Sequence, residues 1–366
     1  MTADSATPLT QPSLDNLIQR LSQRRIALVH DWLLGMRGGE WVMESLLGLL
    51  PQAAIHTLFY NPNAVMPTIN CRAIHPSGLN RLPGVRHYYR MLLPVLPWAI
   101  GRLAIAPETE LVLTTSHCVA HGAPTPVGAV RINYYFSPMR YLYDQNDAYR
   151  GQNALACRVL DGLTPRLRQW DREVAARVDH VWTLSRFVAD RIERAYGLKA
   201  RVIYPPVRTG VFSPPVEARR KPEYLLVSAM VPYKRVDLAI RAANRLALPL
   251  RVVGDGPLLD RMRRLAGSTV TFEGWVSQDR LVHLYRTRQG LIFPGEEDFG
   301  LTPLEAMACG MPVLGLRAGG LCETLEPGIT GEFFELPTSD SLSEAWSEFQ
   351  PGKYDPMALR RHAERF

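Results

Sequence analysis

The sequence predicts an α/β protein of two domains, and three observations carry that prediction. Its 366 residues exceed one ordinary core at roughly 100 to 200 residues per domain. Short apolar runs alternate with segments whose apolar positions recur at helical spacing, as in parallel strands joined by crossover helices. One stretch, from Tyr204 to Pro222, interrupts this alternation with proline, glycine, serine and charge. A composition of 46% hydrophobic and 21% charged residues excludes wholesale disorder and collagen-like or coiled-coil architectures.

Residues 1–24 read as an N-terminal extension ending in a short helix. They lack the basic segment followed by an apolar run that marks a secretory signal. The first strand is Ile26–His30, ending at Asp31 and followed by the glycine-rich turn Gly35 to Gly39. The helix Glu40–Leu50 comes next, so the chain opens as a βα unit. Further strands are predicted at 54–59, 111–116, 130–136, 180–184 and 200–204, with helices at 165–178 and 185–196. These make a domain of residues 25–206. After a linker at 207–222, a second domain at 223–366 repeats the alternation. Its strands are predicted at 224–228, 250–253, 270–272, 290–293 and 313–316, with helices at 236–246, 258–265, 278–287 and 303–309. Two α/β domains with parallel sheets facing across a cleft follow.

Charge divides unevenly between these halves. The formal net charge is +7, and residues 1–206 carry 22 Lys+Arg against 15 Asp+Glu while residues 207–366 carry 20 against 20. No acid occurs between Glu44 and Glu108, a span that holds Arg72, Arg81, Arg86, Arg90 and Arg102. Such a face concentrates anionic partners. Leu79 to Leu103 mixes arginine with tyrosine, tryptophan and leucine, a composition suited to a lipid interface or to helices packed on a sheet. No run of about 18 apolar residues is present to span a bilayer. Five cysteines without a C-x-x-C pair suggest reduced thiols, and with no secretory signal a cytoplasmic protein, peripheral at most to the inner membrane.

The sharpest motif is GEEDFGLTPLEAMACGMP, residues 295–312. A strand ends at Phe293, a loop carries Glu296, Glu297 and Asp298, and a helix is expected to begin near Pro303. The N–H groups of Gly300, Leu301 and Thr302 would then offer a phosphate site at a helix N-terminus. Glu305 is expected in the first turn, where its carboxylate can accept two hydroxyls such as those of a ribose.

This segment resembles the E-x-seven-E signature of retaining glycosyltransferases of the GT-B fold, family 4. Other segments resemble the family in the same order: HDWLLGMRGGEWVMESL, SPMRYLYD, YPPV, VPYKRVDLAI, GDGPLL and VTFEGWVS. The resemblance implies two Rossmann-like domains and transfer of a hexose from a nucleotide sugar. It places Glu297 against the transferred sugar and Lys234 on the diphosphate as the catalytic pair. Donor binding falls to Gly38, Gly39, Arg235, Gly254, Phe299, Gly300, Leu301, Thr302 and Glu305, and the acceptor side to Asp31, Phe136 and Arg140. Arg235 is available for a second phosphate contact, and Gly38 and Gly39 for close backbone approach. A lysine and a helix N-terminus would offset the charge gained by a departing diphosphate.

The sequence departs from the family at two positions. Ala229 stands where members commonly carry an arginine, and Phe136 stands where many carry an acceptor-side histidine. His30 and His117 are nearby in pattern, though a histidine ending a strand is more often structural. No D-x-D pair occurs to hold a divalent cation, so no metal or other cofactor is expected. The implied activity is a hexosyl transfer, of mannose from GDP-mannose, onto a lipid-linked or polysaccharide acceptor in bacterial cell-surface glycan synthesis. An anionic membrane surface is implied as a partner through Arg81, Arg86, Arg90 and Arg102, and nucleic acid is not. The rivals are a non-catalytic sugar-nucleotide or glycan-binding subunit, a nucleic-acid-binding protein and an epimerase of the same fold. Members usually close with a helix crossing back to the first domain, so a chain ending at Phe366 predicts either an abbreviated final helix or a truncated sequence.

Overall fold

The computed structural model describes residues 11–143, 154–215 and 220–366. The chain packs as two units, the first reaching Thr183 and including Ala189–Val202, the second comprising Leu184–Val188 and everything from Ile203 onward.

In the first unit, α1 (Gln11–Ser22) leads into β1 (Ile26–Leu33), and α2 (Gly38–Leu49) follows. The sheet continues with β2 (Ala54–Tyr60), β3 (Ile74–Pro76), β4 (Leu111–Ser116), β5 (Val130–Tyr135), β6 (His180–Thr183) and β7 (Arg201–Val202); α3 (Ala154–Ala175) and α4 (Arg186–Tyr196), which enters this unit from Ala189 onward, are the longer later helices. Strand order is β3-β2-β1-β4-β5-β6-β7, with every pairing parallel. Parallel sheets need cover on both faces, and β1 is buried along its whole length. Successive side chains of a strand point to opposite faces. Thus Leu28 joins Met43, Leu47 and Ile55 under α2, while Val29 joins Leu93, Leu96 and Ile100 of the 85–103 segment on the other face.

β1 runs past the expected end at His30 because its pairing with β2 continues through Trp32↔Phe59 and Leu33↔Tyr60. Asp31 is therefore inside the strand. Gly38 and Gly39 form the first turn of α2 instead of a free loop, with the Arg37 N–H donating to Glu40 Oε2 at 3.0 Å. α3 begins well before Pro165 and carries it internally.

In the second unit, a six-stranded sheet comprises β8 (Lys221–Val227), β9 (Leu250–Val253), β10 (Val270–Gly274), β11 (Arg288–Phe293), β12 (Val313–Leu316) and β13 (Gly331–Phe334). Their order is β10-β9-β8-β11-β12-β13, again all parallel. The helices are α5 (Val236–Leu246), α6 (Leu259–Leu265), α7 (Gln278–Thr287), α8 (Leu301–Ala308), α9 (Ser339–Glu348) and α10 (Pro356–Ala363). α5 buries Val236, Ala239, Ile240 and Ala243 at helical spacing. Asp355 caps α10 by accepting from the N–H groups of Met357 and Ala358 at 2.9 and 3.1 Å.

Strand order reverses between β1 and β4 in one sheet and between β8 and β11 in the other. In open α/β sheets, ligand groups gather outside the carboxyl ends of the strands at such switch points. Asp31 of β1 lies at the first of these switch points, and the loops carrying Lys234 and Glu297 follow β8 and β11 at the second.

Candidate active site

In the second unit, the loops after β8 and β11 bring Lys234 and Glu297 together. Lys234 ends a single 3₁₀ turn, Pro232–Lys234. Its Nζ forms an ion pair with Glu297 Oε1, both side chains being largely buried, and lies 5.2 Å from the centre of the Tyr233 ring. Gly295 permits this approach, because a Cβ there would stand 2.8 Å from the Cα and carbonyl oxygen of Lys234. Arg235 does not share the pairing. It adopts the left-handed conformation at φ 49°, and its guanidinium contacts Asp237 Oδ1 at 3.2 Å and the Pro337 carbonyl at 3.3 Å. Gly254 closes β9 at φ 125°, donating its N–H to the Gly274 carbonyl at 2.8 Å.

Helix α8 begins at Leu301 behind Gly300, which has φ 94° and supplies no side-chain cap. Pro303 is thus its third residue instead of its first, and Glu305 lies in the second turn instead of the first. The Glu305 carboxylate sits 3.4 Å from Arg208 Nη2 and accepts from the Tyr285 hydroxyl at 3.5 Å. Arg208 also donates to Gln278 Oε1 at 2.6 Å. The Phe299 ring is turned into an aromatic cluster with Tyr204 and Phe366, so only its backbone is left to face a donor. A cavity of about 320 Å³ opens beside Val231, Arg235, Leu258 and Arg261. Lys234, Glu297 and Glu305 do not line it.

Burial pushes the Glu305 carboxyl up to about 7 against the opposing pull of Arg208 and Tyr285. Accepting the hydroxyls of a ribose needs the carboxylate, so affinity for a nucleoside diphosphate is expected to rise between pH 6 and 8 and to lose this dependence in Glu305→Gln. The folded state holds the Glu305 proton more tightly than the unfolded chain. Its stabilising contribution is therefore complete below the ordinary value of 4.5 and is lost as pH rises to about 7. Calorimetric titration of nucleoside diphosphates across that range checks the first expectation, and thermal unfolding the second.

In the first unit, the ends of β1 and β4 hold a different cluster. Asp31 is fully buried and accepts four backbone N–H groups in succession, from His117, Cys118, Val119 and Ala120, at 2.8, 3.0, 2.6 and 2.7 Å. His117 Nδ1 lies 3.1 Å from the same carboxylate, and its ring stands edge-on to Trp32 with centroids 4.7 Å apart. Burial alone would raise the Asp31 carboxyl, but the charge and hydrogen bonds of His117 hold it well below the usual carboxylate range. The imidazole of His117 is reciprocally raised, with burial and Arg140 opposing Asp31 and Glu40. Behind the turn, Ser116 Oγ lies 3.2 Å from His121 Nδ1, His121 Nε2 lies 2.9 Å from Asp171 Oδ1, and Tyr196 donates to Asp171 at 2.8 Å. This serine, histidine and aspartate are sealed in the core, so they brace the turn.

Phe136 is buried and packs on α2, where a Cβ at Gly39 would stand 3.0 Å from its ring. It also meets His30 edge-on, and His30 Nδ1 pairs with Thr115 Oγ1 at 2.7 Å. Gly39 therefore serves close packing with Phe136 within this unit. Arg140 is half-buried in a short helical turn, Arg140–Tyr143, and Asp144 of the SPMRYLYD motif lies outside the described residues. His117, Arg208 and Tyr285 join the predicted residues. No motif flagged the last two, because Arg208 falls in the proline-rich break and Tyr285 in an ordinary amphipathic helix.

Two parallel Rossmann-like sheets, each with a polar cluster at its switch point, are the architecture of the GT-B glycosyltransferases. Residues 212–364 match the family described as Glycosyl transferases group 1, and the fold is that of the GT-B class. It is 33% identical over 187 residues to a D-inositol 3-phosphate glycosyltransferase of Acidothermus cellulolyticus, covering 42% of this chain and 41% of that one. It is 28% identical over 213 residues to a GDP-mannose-dependent alpha-(1-6)-phosphatidylinositol monomannoside mannosyltransferase of Mycolicibacterium smegmatis, covering 50% of this chain and 56% of the relative. These matches leave much of each relative's length unmatched. Sucrose-phosphate synthase of Thermosynechococcus elongatus shares the fold at a TM-score of 0.68 and 18% identity, over 93% of this chain and 92% of the other.

Proposed function

We propose that this protein is a retaining, metal-independent hexosyltransferase that moves mannose from GDP-mannose to a lipid-linked or polysaccharide acceptor in bacterial cell-surface glycan synthesis. The observation that carries the proposal is the Lys234–Glu297 ion pair at the switch point of a sheet within the group 1 match. Breaking the bond between the sugar and the diphosphate leaves negative charge on the departing group, and the Lys234 ammonium would offset it without a divalent cation. Glu297, on the same loop system, would lie against the sugar. Glu305 would accept the ribose hydroxyls, with Arg208 and Tyr285 orienting it. The GDP-mannose dependence named for the mycobacterial relative favours that donor.

A second reading, a non-catalytic subunit that binds a nucleotide sugar, is favoured by one observation. The position where many members carry a histidine is filled by the buried Phe136 ring. Incubation with radiolabelled GDP-mannose, UDP-glucose and UDP-galactose, with and without a chelator, tests the enzyme reading. Transfer or slow hydrolysis of GDP-mannose that survives the chelator is expected. Binding with no turnover of any donor would instead select the subunit.

A further inference from the structure

We propose that residues 79–103 of the first unit form a docking surface for an anionic lipid bilayer, in which Met91, Val95 and Trp98 enter the interface and four arginines meet the headgroups. The segment folds as Val85–Tyr88, a 3₁₀ stretch Tyr89–Val95, and Leu96–Ile100, with Pro94 and Pro97 keeping each piece short. Its inner side is spent on the core, where Val85, Tyr89, Leu93, Leu96 and Ile100 pack with Trp32 and Phe59. The same turns point a second apolar set outward. Met91 is 79% exposed, Trp98 57% and Val95 43%. These are large side chains on one short segment, so exposing them together costs solvation that a bilayer interface would recover.

Charge identifies the occupant. Arg81, Arg86, Arg90 and Arg102 are exposed around the apolar set, and no carboxylate occurs between Glu44 and Glu108 to neutralise them. Among the described residues none of the four is ion-paired. The Arg102 guanidinium stacks 4.3 Å from the Trp98 ring centre, bringing a cation and an interfacial aromatic to the same depth. Cations flanking a tryptophan and aliphatic side chains match a surface with anionic headgroups over hydrocarbon. Nucleic acid would use the arginines but leave Met91 and Val95 without a role. The proposal deepens the lipid-linked acceptor reading and rests on it for its biological purpose, whereas the surface stands on these side chains alone.

Co-sedimentation of the full chain with vesicles tests it, with GDP binding measured on the same preparations. Wild type is expected to bind phosphatidylcholine vesicles containing phosphatidylglycerol at least about tenfold more tightly than phosphatidylcholine alone. The double substitution Met91→Ser, Trp98→Ser should weaken that binding by about tenfold or more without changing GDP affinity. Arg90→Glu, at another exposed position, should weaken it as well and blunt its salt dependence. Wild type that stays in the supernatant with phosphatidylglycerol vesicles overturns the proposal. So does a double variant that sediments like wild type, since the attraction would then be charge alone. Vesicle binding that persists while GDP binding is absent would defeat the donor reading and leave the docking surface standing.

Discussion

Lys234→Ala is expected to lower kcat for sugar transfer by about 10² to 10³-fold, the scale seen when one preorganised charge-stabilising group is removed from a reacting centre. The loss should appear in kcat more than in KM, because the diphosphate gains charge as its bond to the sugar breaks. Glu297 complicates the comparison in a useful way. In the free protein it is the partner of Lys234, so truncating the lysine leaves a largely buried carboxylate unpaired. Glu297→Gln should therefore be deleterious by itself, and the double variant about as slow as the worse single one, since the two act as a unit. Steady-state kinetics on the four proteins checks this. Multiplicative losses would show that the pair does not act together, and a Lys234→Ala enzyme within about fivefold of wild type would remove the lysine from the reaction.

The second large effect is structural. Asp31→Ala removes the acceptor of four consecutive buried N–H groups, each costing about 1–3 kcal/mol when left unsatisfied. A total of at least about 4 kcal/mol approaches the whole stability of an ordinary domain. The first unit should melt about 10 °C lower, followed by calorimetry. Asp31→Asn offers little relief, because its amide nitrogen would face donors. The pH dependence has two limbs. The depressed Asp31 carboxyl stabilises above its ordinary value of 3.8, and that contribution is lost as pH falls through its folded-state value. The raised His117 imidazole contributes fully below 6.5 and loses this as pH rises. An unchanged melting temperature in Asp31→Ala would mean that water or a relaxed turn replaces the carboxylate.

The strands and helices that the sequence marked most clearly, such as Leu111–Ser116, Val236–Leu246 and Gln278–Thr287, have the same bounds in the structure. Each combines a clean period with a clear stop. β13 leaves no signal in the sequence, because Gly331–Phe334 is too short to display alternation and is recruited by pairing with β12. Helix α8 starts earlier than Pro303 predicts, for a local reason. Proline suits the first turn generally, and here Gly300 ends the preceding loop two residues earlier than Pro303 suggested. The candidate pair Lys234 and Glu297 was legible because short motifs fix both relative to strand ends. Its neighbours were not, since Arg208 reaches Glu305 only through the fold, and the Asp31 turn joins residues far apart in the chain. Phe136 was legible as a departure, but its burial against Gly39 was visible only in packing.

The four-donor turn around Asp31 has one more consequence. Successive N–H groups converging on one point form a receptor for an anion, the kind of backbone concavity that holds a phosphate in many nucleotide-binding proteins. In this unit the receptor is already filled by a carboxylate from the neighbouring strand, an internal ligand at effectively unlimited concentration. An incoming phosphate would have to evict Asp31 and rebuild the end of β1, so the backbone N–H groups of this turn are closed to outside anions.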